Sequence, residues 1–336
     1  MRKPGAAIAF YSLSIALLPV SLLGFLVWVG KLLAAKASGV STSAQAPLSA
    51  RWGMHHFGVR EDQAANKLLP LLPGVPRLGM WLALGPTVFA HRATGFVPKT
   101  FRYPFEGEVP PQAEASARVT FFDGAVDRFL PGIDQLVILG AGFDTRPYRL
   151  PQDTPVKSFE VDAPATLAVK RGMLDKAGID ARHVAFVPAD FETDDWLGKL
   201  VDAGFDPGRP ALFLWEGVTM YLNREAIEDT LRKVAGCATG SRLAFDYFTT
   251  EALESGMLYW RYGRAAATAV GEPLKFGVDS APPSRERLSE LLSSCGLALL
   301  EQQVLGHETR TKRAWGGFAI AVVESTEPED WHQRQV

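Results

Sequence analysis

Apolar residues follow two regimes along this chain. Near the N-terminus they come in long runs: Gly5 to Gly30 contains no charged residue and includes IALLPVSLLGFLVWVG. As a helix rising about 1.5 Å per residue, that run is long enough to cross roughly 30 Å of hydrocarbon. A second apolar stretch, Leu68 to Ala90, is interrupted by Pro70, Pro73, Pro76, Arg77 and Pro86. It therefore reads as an interfacial or lid segment rather than a second span. Beyond Glu114 the pattern changes. Val119, Phe122, Val126, Phe129 and Leu130 recur at three and four, predicting an amphipathic helix over 115–130. Short apolar runs then predict strands at 136–139, 156–162, 184–188, 212–215 and 242–248, with helices over 163–178 and 224–237.

Alternating strands and helices predict an α/β fold with a doubly wound, mostly parallel sheet. Two final strand-like runs, 298–304 and 317–324, have no helix between them and predict an antiparallel C-terminal pair at one edge. The chain divides into an N-terminal transmembrane helix (1–38), a linker and apolar lid region (39–112) and an α/β domain (113–336). Residues 249–285 form an inserted helical cap. Within the linker, Gly39 to Ala50 is small and polar and reads as flexible. The apolar run reads as a retained anchor, with a cleaved signal peptide ending near Ala35-Lys36-Ala37 and an interfacial or buried helix as alternatives. Arg2 and Lys3 before it and Lys31 and Lys36 after it give no clean orientation.

Composition narrows the function classes. The chain is 336 residues long and 47% hydrophobic, ample for a sizeable core, and its mean hydropathy is slightly positive. A net charge of −2 argues against nucleic acid as a partner. Cys237 and Cys295 are the only cysteines, too few and too far apart for a disulfide framework. The six histidines show no metal-ligand spacing, so no metal is expected.

The chemistry concentrates after the first strand of the domain, where LVILGAGFDTRPYRL is followed by FEVDAP. Gly140 and Gly142 allow a ligand close to the backbone, and Asp162 ends the next strand, where it can accept hydrogen bonds from ribose hydroxyls. A third small residue, which a dinucleotide fingerprint requires, is replaced by Thr145, Arg146 and Pro147. That disfavours a pyrophosphate seated on a helix start and favours an adenosine cofactor without phosphates.

LGAGFDTRPYRL, FEVDAP, VPADF and LFLWEGVTMYL, in that order, resemble the leucine carboxyl methyltransferase family, including its bacterial branch, over roughly Ala115 to Phe248. The resemblance implies a Rossmann-like class I fold and S-adenosyl-L-methionine as cofactor. It implies that Gly140 and Gly142 lie against the methionine part, that Arg118 pairs with its carboxylate, and that Asp162 binds the ribose. Asp190 and Phe191 would sit at the adenine, Glu216 near the amino group and sulfonium, and Tyr221 beside the transferred methyl. The expected reaction is O-methylation of a carboxylate or hydroxyl on a small-molecule or lipid-like acceptor. A carboxylate acceptor needs no general base. A hydroxyl acceptor needs one, and Tyr221 or Asp246 at the end of the fifth strand are the candidates. Each assignment has a bland competitor: Arg118 as a surface arginine, Asp162 and Asp190 as helix-terminal acids, Asp144 as a tie within the glycine turn, Tyr259, Trp260 and Tyr262 as cap packing. Arg146, Arg261 and Arg264 are weaker candidates for meeting an anionic substrate. The expected location is a single-pass membrane anchor with the domain on the cytoplasmic side, where the cofactor is made. The rival readings are a catalytically silent, membrane-tethered nucleoside-binding module and a nicotinamide-dependent oxidoreductase.

Overall fold

β1 (Gln135–Leu139) shows how the sheet is built, since all five of its residues are buried. Side chains alternate along a strand, and here Val137 and Leu139 enter one apolar core while Leu136 and Ile138 enter another. A continuous apolar run therefore marks a strand covered on both faces. The computed structural model describes residues 4–34, 44–73, 75–151, 153–269, 271–281, 283–309 and 313–324.

Four more strands run parallel to β1: β2 (Lys157–Asp162), β3 (Val184–Pro188), β4 (Ala211–Trp215) and β5 (Arg242–Phe248). β6 (Ala298–Leu305) and β7 (Gly316–Val322) complete a seven-stranded sheet of order β3-β2-β1-β4-β5-β7-β6. β7 is antiparallel to both β5 and β6, so the expected antiparallel pair is present and β6 forms the edge. This is the expected Rossmann-like, doubly wound sheet.

Helix α6 (Glu114–Phe129) covers one face, packing Phe122 and Phe129 with Leu214, Phe318 and Ile320. On the other face, α8 (Trp196–Asp202), α9 (Arg224–Ala235) and α12 (Ser284–Ser294) contribute Trp196, Leu231 and Leu288. In α9, Asn223 caps the helix by accepting from the Ala226 N–H. α10 (Thr250–Glu254) and α11 (Leu258–Ala269) supply the helical part of the expected cap.

The N-terminal third departs from expectation in two ways. Its apolar run is two helices, α1 (Pro4–Ala16) and α2 (Leu18–Ala34), and the parts Gly5–Ala16 and Leu18–Trp28 meet at 57°. Pro19 has no N–H to bond back one turn, and the Leu17 carbonyl accepts from both the Val20 and Ser21 amides at 3.1 and 3.2 Å where α2 starts afresh. Among the described residues no single helix is long and apolar enough to cross a membrane, although the bent pair together has the length and composition. The single transmembrane helix expected from the sequence is therefore replaced by a broken pair. Second, the stretch read as a flexible linker contributes Gln45 to Ala50 to helix α3 (Gln45–His56), with Pro47 in the first turn, where a missing N–H costs nothing. Residues 39–43 and the Ala35-Lys36-Ala37 cleavage reading lie outside the described residues.

A third core joins these helices to the sheet domain. Leu48 and Trp52 of α3, Leu68 of α4 (Gln63–Leu68) and Met80 and Val88 of α5 (Arg77–Thr94) pack with Phe143 and with Met173 of α7 (Pro164–Ala177). Leu68 to Ala90 is thus largely helical and part of this core.

Phe318 is fully buried at the centre of β7 and stacks on Phe121 with ring centroids 5.2 Å apart. Phe318→Ala is expected to cost about 3–5 kcal/mol in urea denaturation, as large aromatic truncations do; a loss below about 1 kcal/mol would mean the sheet edge unfolds separately from the core.

Candidate functional site

The strand order reverses between β1 and β4, and a crevice opens at the carboxyl ends of strands flanking such a switch point. A cavity of about 470 Å³ lies there, lined by the turn after β1, the end of β2, and the segment Glu216 to Leu222 that follows β4.

The turn is built from Gly140 (φ +68°) and Gly142 (φ +43°), both in the left-handed region that other residues resist. A methyl group on Gly140 would drive into Val218 across the pocket, and one on Gly142 would lie 2.9 Å from the Ala44 Cβ. Asp162 pins the turn. Its Oδ2 accepts from the Gly142 N–H and its Oδ1 from the Ala163 N–H, both at 2.6 Å. Burial pushes the Asp162 carboxyl up, against the pull of these two amides. After the turn the chain enters a 3-10 segment, Arg146–Arg149, instead of an α-helix. The helix that a dinucleotide fingerprint places directly after its glycines is therefore missing from this segment, which disfavours a pyrophosphate seated there.

Beneath the turn lies a buried ion network. Arg146 donates to Asp123 of α6 at 2.8 Å, to Asp144, and to Glu216 at the end of β4. Arg51 of α3 reaches the same Asp144 Oδ2 and Glu216 Oε2 at 3.1 and 2.9 Å. Arg60 pairs with Asp62 and, at 2.6 Å, with Asp123. Burial alone would raise the Asp123 and Asp144 carboxyls, but Arg146 with Arg60 at the first, and with Arg51 at the second, holds both well below the usual carboxylate range. Arg146 is consequently a structural cation, 2% exposed and not a surface contact for substrate. Glu216 Oε1, by contrast, has no hydrogen-bond partner among the described residues, and Glu216 lines the cavity.

Next to Gly217, Arg118 of α6 ion-pairs with Glu114 one turn earlier and with Asp246 of β5 at 3.0 Å. It lines the cavity and is no surface arginine. Burial pushes the Glu114 and Asp246 carboxyls up, only partly opposed by Arg118. Asp246 does not line the cavity: its Oδ1 accepts from the Gly217 N–H at 2.7 Å and its other oxygen faces Arg118. That removes it as a direct general base and makes it a support for Arg118.

Phe191 and Asp190 line the cavity beyond β3. Phe191 is buried against Trp196, whereas Asp190 is exposed and accepts from the Glu192 N–H at 2.8 Å, closing a local turn. Tyr221 lines the cavity from a 3-10 turn, Thr219–Tyr221. In the cap, Trp260 packs on Phe248 and Trp315, and Arg264 donates to the carbonyls of Leu253 and Ser255, so both hold the cap together. Tyr259 and Tyr262 are exposed, and neither they nor Arg261 lines the cavity.

Sequence reasoning missed Arg51, Glu114, Glu272 and the Ala44-Ala46-Pro47 wall. Of these, Arg51, Glu272 and the wall line the cavity. The available signals were an arginine inside an otherwise small and apolar helical stretch and the i, i+4 pair of Glu114 with Arg118. Among the described residues no histidine, cysteine and carboxylate group stands together as a metal site, and both cysteines are buried and free.

A family model described as leucine carboxyl methyltransferase matches residues 107–235, which contain the glycine turn, the Asp162 strand end and the Glu216 loop. That segment is leucine carboxyl methyltransferase-like. The chain is 41% identical over 152 residues to a protein of Mycolicibacterium smegmatis, covering 44% of this chain and 46% of the other. It is 32% identical over 179 residues to one from Frankia alni, covering 48% and 62%. Both carry names assigning them as S-adenosyl-L-methionine-dependent methyltransferases. The chain spans about half the length of the relatives it matches. A solved O-methyltransferase family protein from Burkholderia thailandensis aligns over 64% of this chain and 61% of its own at 12% identity and a TM-score of 0.43, a likeness too loose to bear on the site.

The network sets an expected acid response. The Asp123 carboxyl is depressed in the folded state, so it contributes stability that is complete above its unfolded pKa of about 3.9 and is lost as pH falls below that value. Replacing it by Asn removes one proton taken up on unfolding. The slope of unfolding free energy against pH between about 2 and 4 should fall in Asp123→Asn by about 1 kcal/mol per pH unit; an unchanged slope in pH-dependent denaturant titrations would contradict the pairing.

Proposed function

We propose that the chain is an S-adenosyl-L-methionine-dependent O-methyltransferase acting on a carboxylate, or a hydroxyl, of a small or lipid-like acceptor, with its site on the cytoplasmic side where that cofactor is made. The observation that carries the reading is the charge arrangement of one cavity at the switch point. Arg118, Glu216 with its unpartnered Oε1, and the Asp162-pinned glycine turn all line it. A zwitterionic amino-acid group joined to a nucleoside needs such a set: a cation for its carboxylate, an anion for its ammonium, and a backbone without Cβ atoms beneath it. The relatives' names and the family match point the same way.

When bound, the cofactor supplies a methyl group already activated by its sulfonium. The protein's own part is placement. Asp162 would accept from the ribose while keeping its two backbone donors, Phe191 would give an apolar wall to the adenine, and Glu216, its other oxygen locked by Arg51 and Arg146, would present Oε1 without reorganisation. A carboxylate acceptor is ionised at neutral pH, so alignment alone supplies much of the rate. For a hydroxyl acceptor, Tyr221 is a lining side chain that would take up the proton.

Arg118 faces two carboxylates with a single positive charge, and Glu114 is the one on its own helix. In this reading, Glu114 holds the place of the cofactor carboxylate and releases Arg118 on binding.

Isothermal titration with S-adenosyl-L-methionine tests the reading: absence of binding at high micromolar ligand rejects it. Asp162→Ala should weaken binding by about 1–3 kcal/mol, the scale of hydrogen bonds to a charged group. Glu114→Gln should do the opposite and tighten binding several-fold, because the competing charge is gone; weakened or unchanged affinity would show that Glu114 does not occupy the ligand's place on Arg118.

A further inference from the structure

Helix α2 meets the rest of the protein along a narrow strip. Gly24 lies so close to Ala83 and Leu82 of α5 that a methyl group there would collide with their backbone, and Gly79 of α5 faces Val27 in return. Small residues that let two helix backbones approach are a packing device frequent in lipid. Away from that strip the apolar side chains are bare. Ile8 and Ile15 of α1 are each 70% exposed, Leu26 of α2 68% and Leu78 of α5 71%, and Phe25 and Phe89 are more than half exposed. Where a soluble surface scatters large apolar side chains singly, these three helices carry an exposed concentration of them. It is anchored to the body: Phe10 packs on Phe96 with ring centroids 5.2 Å apart, and Met80 and Val88 root α5 in the third core.

The charge distribution says what covers it. Residues 1–105 hold eleven lysines and arginines but only two acids, Glu61 and Asp62, so the chain's net charge of −2 conceals a basic N-terminal third and an acidic remainder. Asp62 is buried against Arg60, leaving Glu61 as the exposed acid beside the exposed Lys67, Arg77, Arg92 and Lys99. Arg77 adjoins Leu78, and Arg92 follows Phe89 by less than a turn, so α5 carries a cation at each end of its bare apolar face.

We propose that α1, α2 and α5 form a monotopic seat in one leaflet of an anionic membrane, in place of a single-pass anchor. Apolar side chains enter the acyl boundary and the flanking bases meet acidic headgroups. α1 and α2 have 13 and 17 residues, about 20 and 25 Å at 1.5 Å per residue against a hydrocarbon core of about 30 Å. The 57° bend and the close contact with α5, which carries Arg77, Pro86 and Arg92, keep α2 from rotating into a spanning position. The seat does not depend on methyl transfer, and vesicle binding is read separately from cofactor binding.

The test is flotation of the full chain with vesicles of phosphatidylcholine alone and of equal parts phosphatidylcholine and phosphatidylglycerol. The wild type should float with the mixed vesicles and much less with phosphatidylcholine. Leu26→Asp/Leu78→Asp/Phe89→Asp should abolish flotation, and Arg77→Gln/Arg92→Gln should remove the preference for phosphatidylglycerol, with cofactor titration and circular dichroism of both unchanged from wild type. Tags at the two ends should be digested from the same side of sealed vesicles. Equal flotation of wild type and the triple-Asp variant, no lipid preference, or tags on opposite sides overturns the proposal. So does a stable dimer in lipid-free buffer that the triple-Asp variant dissociates, since a second copy would then cover the face.

Discussion

The guanidinium of Arg146 joins parts of the chain that have no other reason to meet in register. It binds the helix before β1 through Asp123, the turn after β1 through Asp144, and the end of β4 through Glu216. Arg51 and Arg60 extend the same charges to the N-terminal helices. Burying ions is costly, and an apolar replacement of equal volume is often no less stable, so the value of such a network lies in the geometry it specifies. Here it fixes which oxygen of Glu216 is engaged and which is left without a hydrogen-bond partner, and it seats α3 as a cavity wall. Removing one partner would leave several groups buried without compensation, which makes the site and the domain junction a single cooperative unit.

Much of the sheet was legible because its strands are short apolar runs buried on both faces, and because Gly140 and Gly142 follow one of them directly. The early end of helical pairing after the turn was legible too, from Arg146-Pro147. Three things were not. Helix α3 begins with small and polar residues around Pro47, a composition shared by linkers, and its helicity comes from burying Leu48, Trp52 and Arg51 against distant segments. The bend at Leu17 depends on where Pro19 falls within an apolar run whose composition alone reads as one continuous span. Asp246 carries a strand-end position typical of a site residue, yet strand alternation puts it on the same face as Ala244, toward α6, where Arg118 takes it up.

The residues gathered at the cavity divide by what holds them. Asp162 and Glu216 are fixed by donors that stay put, the first by two amides and the second by two arginines. Arg118 is held by one fixed carboxylate, Asp246, and by Glu114, a side chain on the same helix that can turn away. In the proposed reading one end of the cavity is preformed and the other is guarded, which would couple ligand binding to the Glu114 side chain.

Ala44, the residue that precedes α3, touches the glycine turn and lies ten positions after Ala34, where α2 ends. Ten residues reach at most about 35 Å when fully extended. That leash sets a ceiling on how far the cavity can stand from the end of α2. Were the bent helix pair seated in a leaflet as proposed, the methyl-donor pocket would be confined to a shell roughly one bilayer thickness deep above the lipid headgroups. An acceptor carried in the membrane would then reach the site by a two-dimensional search, at an effective concentration set by lipid composition instead of by bulk volume.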